Sequence, residues 1–172
     1  MNTVIIEKSK YSNNYQDVAF VCAAVEDKKS LRIVLQHVYV KDGLMIATDG
    51  NRLHTLSLYN SGIEVEDGFY THIKTAKQVI LTPAPDQDMT YPNYEQVMPL
   101  ENELAMFTLG GSYQRERILT NYANSNNSGY SLNIEYLEVL PENMTMRVFD
   151  NQAPVLFENC TKTALIMPVR LK

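Results

Sequence analysis

Two turn dipeptides constrain the fold of this chain more than any other feature. Asp42-Gly43 and Asp49-Gly50 each combine a residue that tolerates positive φ with a glycine, which is the composition of tight β-hairpin turns. Residues 44–48 between them and 53–58 after them are rich in apolar and β-branched side chains, and residues 31–40 before them alternate with the period of a strand. The sequence therefore predicts three consecutive antiparallel strands joined by hairpins.

A helix and a further strand precede these three strands. Residues 16–25 carry apolar side chains at the spacing of helical turns, namely Val18, Val21, Cys22 and Val25. Residues 4–7 are the candidate strand that leads into this helix. We therefore expect the first unit to have the order β-α-β-β-β.

The same order occurs again near the C-terminus. Residues 129–132 form the candidate leading strand, Asn133 suits the N-cap of a helix, and Pro141 is expected to stop that helix. Three strands are then predicted at 144–149, 154–158 and 163–171, separated by turn-forming residues. Two such units predict an α+β fold.

The segment between the two units, residues 60–127, fits neither pattern. It contains candidate strands at 69–73 and 104–109, a proline-containing loop at 82–99, and a polar run at 121–127 that is expected to be a mobile loop. We expect a single domain over residues 1–172, with unit one at about 1–59, this middle insertion at about 60–127, and unit two at about 128–172.

Composition and charge limit the functions of the chain. Of its 172 residues, 45% are hydrophobic and 20% charged, so it can bury a core. Its net charge is −5, whereas proteins that bind nucleic acid by simple phosphate neutralisation are usually basic. Without a membrane-length apolar run or a signal-peptide layout, a cytoplasmic location away from membranes is expected. Cys22 and Cys160 are interpreted as free thiols, and no metal or cofactor is expected.

No group of residues indicates catalysis. Residues 86–88 include two aspartates in a proline-flanked loop without a paired histidine, and Ser57 and Ser112 lack a nucleophile-elbow context. The three histidines lie in strand-like segments at spacings that fit no metal motif, which favours structural roles for His37, His54 and His72. We therefore expect a protein that is not an enzyme.

Three motifs occur in the order in which one known family has them. They are Ala47-Thr48-Asp49-Gly50-Asn51-Arg52-Leu53-His54-Thr55-Leu56, Tyr91-Pro92-Asn93-Tyr94-Glu95-Gln96-Val97-Met98-Pro99, and Leu165-Ile166-Met167-Pro168-Val169-Arg170-Leu171. Together they resemble the bacterial DNA polymerase III β subunit, the sliding clamp, and the chain is similar to a short, divergent or phage-like member of that family. Residues 16–56 resemble the first half of the clamp's middle domain, 91–99 the link that leaves it, and 129–171 the closing half of the final domain.

The resemblance implies a fold, a role and a binding site. Clamps are rings of domains with the DNA-clamp fold, each domain having two β-α-β-β-β units with helices on one face of antiparallel sheets. The implied role is that of a replication processivity or recruitment factor that binds short linear peptides of polymerases or other replication and repair proteins in a surface pocket. Residue by residue, the motifs assign Thr48, Gly50, Arg52, Leu53, Pro99, Met167, Pro168, Val169, Arg170 and Leu171 to that pocket.

Each motif also has a structural interpretation. Gly50 then supplies only the positive φ of a hairpin, Asp49 pairs only with Arg52, and Met167 is an ordinary strand residue. Under the pocket interpretation, replacing Arg52 or Met167 by alanine is expected to reduce peptide affinity while leaving the fold intact. Asn51 stands where the family commonly has histidine, so a different partner preference is expected.

Candidate DNA contacts follow the first helix, at Lys28, Lys29 and Arg32. The helix itself carries Gln16 and Asp17 and no basic residue, which does not attract phosphate. Two functions are therefore open. One is a clamp that encircles double-stranded DNA as a homo-oligomeric ring. The other is a clamp-derived peptide-binding adaptor or competitor that does not encircle DNA, for which a monomer or dimer suffices.

Overall fold

The computed structural model describes residues 2–27, 29–85, 89–99, 103–110, 114–125, 129–150 and 152–171. The chain divides into two units, Met1–Pro92 and Asn93–Lys172. Each unit combines antiparallel strands with short helices, so the predicted α+β class is confirmed. The boundary lies inside residues 60–127, and strands from that segment occur in both units. The organisation as a single domain stays a prediction.

The first unit has the predicted order and then adds a second hairpin. Its elements are β1 (Val4–Glu7), α1 (Asn14–Cys22), a 3₁₀ helix (Ile33–Gln36), β2 (Val38–Lys41), β3 (Leu44–Thr48), β4 (Arg52–Ser57), β5 (Gly68–Lys74) and β6 (Gln78–Pro83). The sheet order is β1-β6-β5-β2-β3-β4, and every neighbouring pair is antiparallel.

The core of the first unit lies between α1 and one face of this sheet. α1 packs against β1, β3, β4 and β6, and its Val18 is fully buried. In β2 and β5, Val38 faces Tyr70 on the buried side, whereas the next pair, Tyr39 and Phe69, has its side chains on the opposite face. Because side chains alternate along a strand, burial against α1 determines the register of the whole sheet.

The β2–β3 turn has the conformation that its dipeptide predicts. Asp42 and Gly43 have φ angles of 50° and 74°, and Lys41 pairs with Leu44 across the turn. Two consecutive positive φ angles twist a two-residue turn in the same sense as its strands. This turn therefore holds β2 and β3 in register without a longer loop.

The second unit has smaller sheets and shorter helices. Its elements are a 3₁₀ helix (Tyr94–Val97), β7 (Ala105–Thr108), α2 (Gln114–Ser125), β8 (Tyr130–Ser131), α3 (Ile134–Leu137), β9 (Thr145–Val148), β10 (Val155–Glu158), β11 (Lys162–Ile166) and β12 (Val169–Arg170). Four strands pair in the order β11-β10-β9-β7, and β12 pairs with β8 in a separate two-stranded sheet. Asn133 caps α3 as predicted, because its side chain accepts a hydrogen bond from the Glu135 amide at 3.0 Å.

Residues 31–40 do not form one strand. Residues Ile33–Gln36 make a 3₁₀ helix, and the strand starts only at Val38. The amide of Glu26 donates to the Leu35 carbonyl at 2.9 Å, which draws this segment inward and buries Leu35. The side chain of Leu31 is 97% exposed, so the apparent alternation does not reflect burial of one strand face.

The polar run at 121–127 is not a loop over its described part. Residues 121–125 complete α2, while 126 and 127 lie outside the described residues. The helix is held by Ile118 and Tyr122, which are one turn apart and both buried. Two buried positions suffice here to order a helix whose remaining side chains are mostly polar.

Two other predicted boundaries were wrong. The loop predicted from residue 82 begins later, because Thr82 and Pro83 belong to β6. The last predicted strand breaks after Ile166, and the chain pairs again only at Val169. Pro168 lies between them and has no amide hydrogen for a sheet ladder. Along the described part of the chain, no helix has the length and apolar character needed to cross a membrane.

Candidate functional site

The turn between β3 and β4 is closed by its own polar groups. The Thr48 hydroxyl donates to the Arg52 carbonyl at 2.6 Å and accepts from the Gly50 amide at 3.0 Å. One carboxylate oxygen of Asp49 accepts from the amides of Asn51 and Arg52 at 2.9 and 3.0 Å. The turn therefore has one hydrogen-bonded conformation, determined by the Thr48 and Asp49 side chains.

Arg52 connects this turn to the end of α1. Its Nε donates to the second carboxylate oxygen of Asp49 at 3.0 Å, and its Nη2 donates to the carbonyl of Ala23, the C-cap of α1. Only 14% of the Arg52 side chain is exposed. The guanidinium thus satisfies both a buried carboxylate and a helix-end carbonyl, which are two groups that are costly to leave unpaired.

Arg32 lies over the same turn from the outside. Its Nη2 donates to the Asp49 carbonyl at 2.8 Å and forms an ion pair with Glu26. Gly50 has φ of +88°, and a Cβ at this position would overlap the guanidinium of Arg32. Glycine is favoured here by the left-handed backbone, and any other residue would also push the flexible Arg32 side chain aside.

The predicted DNA contacts after α1 differ in how exposed they are and in whether they already have a partner. Arg32 is about half exposed and already paired with Glu26. Lys29 is exposed, and its amide is held by the Asp27 carboxylate at 2.8 Å. Lys28 lies outside the described residues. Of the two contacts that the structure describes, Lys29 has the side chain that is more open to a phosphate.

Leu53 and His54 continue β4 into the core under the turn. Leu53, predicted as a peptide contact, is only 4% exposed. His54 Nδ1 donates to the Phe20 carbonyl at 2.6 Å, and the two rings stack with centroids 4.3 Å apart. Its buried Nε2 has no hydrogen-bond partner among the described atoms. Burial lowers the pKa of His54 to about 4, against the opposing effect of the Phe20 hydrogen bond.

The terminal motif has the opposite character, because its side chains are exposed. Met167, Val169 and Leu171 alternate along the segment and are 37%, 52% and 59% exposed. Arg170 is exposed and Pro168 half-buried. β12 is held by pairing with β8, and the Leu171 amide donates to the Gly129 carbonyl at 2.7 Å. We call Met167, Val169 and Leu171 the apolar stripe.

The central motif is divided between the two units. In the first unit, Tyr91 stacks on Tyr39 with ring centroids 4.8 Å apart, on the sheet face opposite α1. In the second unit, Asn93 caps the 3₁₀ helix through the Glu95 amide, and Pro99 is half-buried shortly after it. Tyr91 therefore anchors the end of the first unit, a structural role that the sequence did not distinguish from the rest of the motif.

Each unit gathers its own share of the predicted site residues. Thr48, Gly50, Arg52 and Leu53 meet around one turn, and the segment from Met167 to Leu171 is an exposed stretch around the short strand β12. The sequence missed the contacts from Ala23, Glu26 and Arg32, since no local spacing signals a partner so far along the chain. No group of three or more histidine, cysteine, aspartate or glutamate side chains suited to a metal ion occurs among the residues with described positions.

Solved structures show similarity along the whole chain. No protein-family model and no curated protein sequence matches it. The Helicobacter pylori β clamp bound to a DNA ligase peptide has 16% identity and a TM-score of 0.54, covering 99% of this chain and 66% of that one. The Streptococcus pneumoniae DNA polymerase III β chain has 15% identity and a TM-score of 0.60, covering 99% and 65%. The Thermotoga maritima β subunit has 14% identity and a TM-score of 0.58, covering 100% and 66%.

These similarities establish the fold. The chain has the DNA-clamp fold of bacterial DNA polymerase III β subunits, as the three motifs predict, at a sequence identity that marks it as divergent. It spans about two thirds of the length of those clamps.

Proposed function

We propose that this chain is a clamp-like replication factor that recruits a polymerase-type partner by binding a short linear peptide of that partner. The Helicobacter pylori clamp, which shares the fold, is bound to a DNA ligase peptide. The proposed contacts are Thr48, Gly50 and Arg52 at the β3–β4 turn, with Leu53 buried beneath them as support, Pro99, and the terminal residues from Met167 to Leu171.

The observation that carries the proposal is the apolar stripe. Met167, Val169 and Leu171 leave large apolar areas in water on and beside the two-residue strand β12, and the cation of Arg170 lies between Val169 and Leu171 in the chain. Exposed apolar side chains next to one another are typical of surfaces that bind another molecule. A linear peptide with apolar anchors and a polar or acidic group would bury the stripe and neutralise Arg170.

The proposed contacts at the turn and those in the terminal segment are expected to contribute differently to binding. In the turn, Arg52 and Thr48 make internal hydrogen bonds, so they supply a fixed surface more than free contact groups. In the terminal segment, the stripe supplies apolar area that a partner can still bury. Binding energy is therefore expected to come mainly from the stripe.

Peptide titration tests the proposal. The probe is a fluorescein-labelled DNA ligase peptide of the kind bound to the Helicobacter pylori clamp, and the readout is fluorescence anisotropy. Replacing Val169 and Leu171 together by serine removes most of the apolar area that the peptide would cover. We expect about a tenfold or greater loss of affinity, which corresponds to about 1.4 kcal/mol or more.

Ile134→Ser is the matched control, because Ile134 is 51% exposed in the same unit and lies outside the proposed contacts. It should leave peptide affinity within about twofold. The circular dichroism spectra of all variants should agree with that of the wild type. An equal affinity of the stripe variant and the wild type, or equal losses in stripe and control, would remove the basis of the proposal.

A second candidate function is an adaptor or competitor that keeps the peptide site without encircling DNA. The charged side chains of the two longer helices favour this candidate. α1 is largely buried and presents Gln16 and Asp17, and in α2 the side chains of Arg115 and Arg117 are bound to Glu138 and to the Gly110 carbonyl. Over its described side chains, neither helix offers an unengaged row of cations, so α1 and α2 would not hold an encircled duplex by charge.

Light scattering together with DNA retention separates the two candidates. An encircling ring requires an oligomer and better retention on circular than on linear DNA of the same sequence. An adaptor is expected to be a monomer or dimer with equal retention on both forms. Peptide binding does not depend on the outcome, because the stripe lies within one unit of one chain.

A further inference from the structure

Two lysine pairs that are far apart in sequence meet at one end of β1. Lys8 and Lys10 follow β1, while Lys74 ends β5 and Lys77 lies in the β5–β6 turn. The pairing of β1 with β6 joins them, because the Lys8 amide donates to the Lys77 carbonyl at 2.7 Å. We call these four residues the lysine patch.

Aromatic contacts fix the lysine patch against the start of α1. The Tyr15 hydroxyl, in the first turn of α1, donates to the Thr75 carbonyl at 2.6 Å. Lys8 Nζ lies 5.9 Å from the centre of the Tyr15 ring, and Lys10 Nζ lies 4.7 Å from that of Tyr11. The β5–β6 turn and the lysines after β1 are thus connected to the positive end of a helix.

The lysine patch is locally positive although the chain is acidic. All four lysines are exposed, and none has an ion-pair partner within the described ranges. The nearest carboxylates in sequence are Glu7, on the face of β1 opposite buried Ile6, Asp17 in the first turn of α1, and Asp67, which precedes β5 at the end away from Lys74 and accepts from the Asp42 amide. Two of these three carboxylates lie at the patch end of their elements. Four cations therefore outnumber two anions in a chain with net charge −5. Such a local excess attracts polyanions.

The surroundings of the lysine patch favour nucleic acid over lipid. Ser9, Thr75 and Ala76 lie between the lysines and are exposed, whereas insertion into a bilayer needs large apolar side chains. The exposed Ile5 and Ile73 belong to the opposite face of the sheet from Ile6 and Tyr70, so they do not share the face of Lys74. Tyr11 is 86% exposed beside Lys10. Lysine, serine, threonine and tyrosine side chains are the groups that contact phosphates in protein–DNA complexes.

We propose that the lysine patch binds the phosphate backbone of duplex DNA without sequence preference and without encirclement. The choice of duplex DNA as the polyanion rests on the proposed replication role, while the patch itself rests on its geometry and charge. The predicted contacts after α1 are a different set, in which Arg32 is already engaged by Glu26 and the Asp49 carbonyl.

A salt titration with a short, linear, fluorescein-labelled duplex tests this proposal on the whole chain. The patch variant combines Lys8→Gln and Lys77→Gln. The matched control combines Lys41→Gln and Lys162→Gln, which change the net charge equally at residues outside the patch. At low salt, the patch variant should bind the duplex at least about fivefold less tightly. A plot of log affinity against log salt has a negative slope, and this slope should become shallower by about 0.9 for each phosphate that the variant no longer binds. The control should keep the wild-type slope.

Three outcomes of the DNA titration would overturn the proposal. They are wild-type protein that does not bind the duplex at low salt, equal reductions of affinity in patch and control variants, and an unchanged salt slope in the patch variant. Binding to phosphatidylserine vesicles that depends on the patch, with DNA affinity unaffected, would assign the surface to lipid and also overturn it. Peptide affinity, measured in parallel, should be unchanged in the patch variant, so failure here is distinguishable from failure of the proposed peptide binding.

Discussion

The β3–β4 turn and the terminal segment carry the two most specific motifs of this chain, yet they are physically unlike. In the turn, Thr48, Asp49 and Arg52 direct their polar groups to one another and to α1. In the terminal segment, Val169 and Leu171 remain more than half exposed. Two motifs were found through the same kind of resemblance to a family. One of them is a turn held by internal hydrogen bonds, and the other is an exposed surface.

Arg52→Ala is expected to have the largest effect. The Asp49 carboxylate, which is 13% exposed, would lose its cation and the Ala23 carbonyl its donor, so the loss of these charge-assisted hydrogen bonds should lower the free energy of unfolding by about 3 to 4 kcal/mol. This differs from the sequence-based expectation that the variant leaves the fold intact. Urea denaturation measures the change. Arg115→Ala, which breaks an exposed pair with Glu138, is the control and should cost less than about 1 kcal/mol. Equal decreases in the free energy of unfolding for the two variants would mean that Arg52 does not stabilise the turn.

His54, directly beyond the turn, should make stability depend on pH. Its folded pKa of about 4 lies below the unfolded value of 6.5, so between these values the unfolded state binds more protons. Stability is fully present above pH 6.5 and falls by about 3 kcal/mol as the pH drops to 4. The nearby Arg52 and Asp49 charges act in opposite directions.

Urea denaturation of wild type and His54→Gln at both ends of this pH range measures the contribution of His54. The difference between the two proteins should shrink as the pH falls, because the glutamine variant has no proton to take up at this position. A His72→Gln control retains His54 and should therefore follow the wild-type pH dependence. A pH-independent difference between wild type and the His54 variant would show that His54 is not buried as a neutral ring.

Gly50→Ala should lower the free energy of unfolding by about 2 kcal/mol. The new Cβ strains the left-handed backbone and displaces Arg32 from the Asp49 carbonyl. Gly62→Ala separates the two causes. Gly62 has φ of +71° with open space around its Cβ position, so only the strain applies there. Thermal unfolding of both variants gives the difference. A larger cost at Gly62 than at Gly50 would contradict the role assigned to Arg32.

Local chemistry predicted the hairpins, whereas contacts between distant segments decided most of the rest. The turn at Asp42-Gly43 follows from two residues, and the Asn133 cap from one. The 3₁₀ helix at Ile33–Gln36 depends on burial of Leu35, and α2 depends on packing of a few apolar side chains in a polar sequence. Neither is visible as a period in the sequence.

The candidate surfaces show the same division. The sequence showed the terminal motif only as a resemblance. Its exposure was not visible there, because the exposure follows from the break at Pro168 and from pairing with β8. The lysine patch was visible only as two separate pairs. Its existence depends on β1 pairing with β6, a contact between segments about seventy residues apart.

The smallest effect on stability is expected in the stripe, where Val169→Ser should change the free energy of unfolding by no more than about 0.5 kcal/mol. Val169 is 52% exposed, so serine gives up little buried area and creates no cavity. Urea denaturation of this variant beside Val148→Ser, a fully buried residue of the same unit, measures the contrast. A large decrease at Val169 would mean that the stripe already packs against the chain itself. A small one, combined with reduced peptide affinity, would separate binding from folding at this segment in a way that Arg52 cannot.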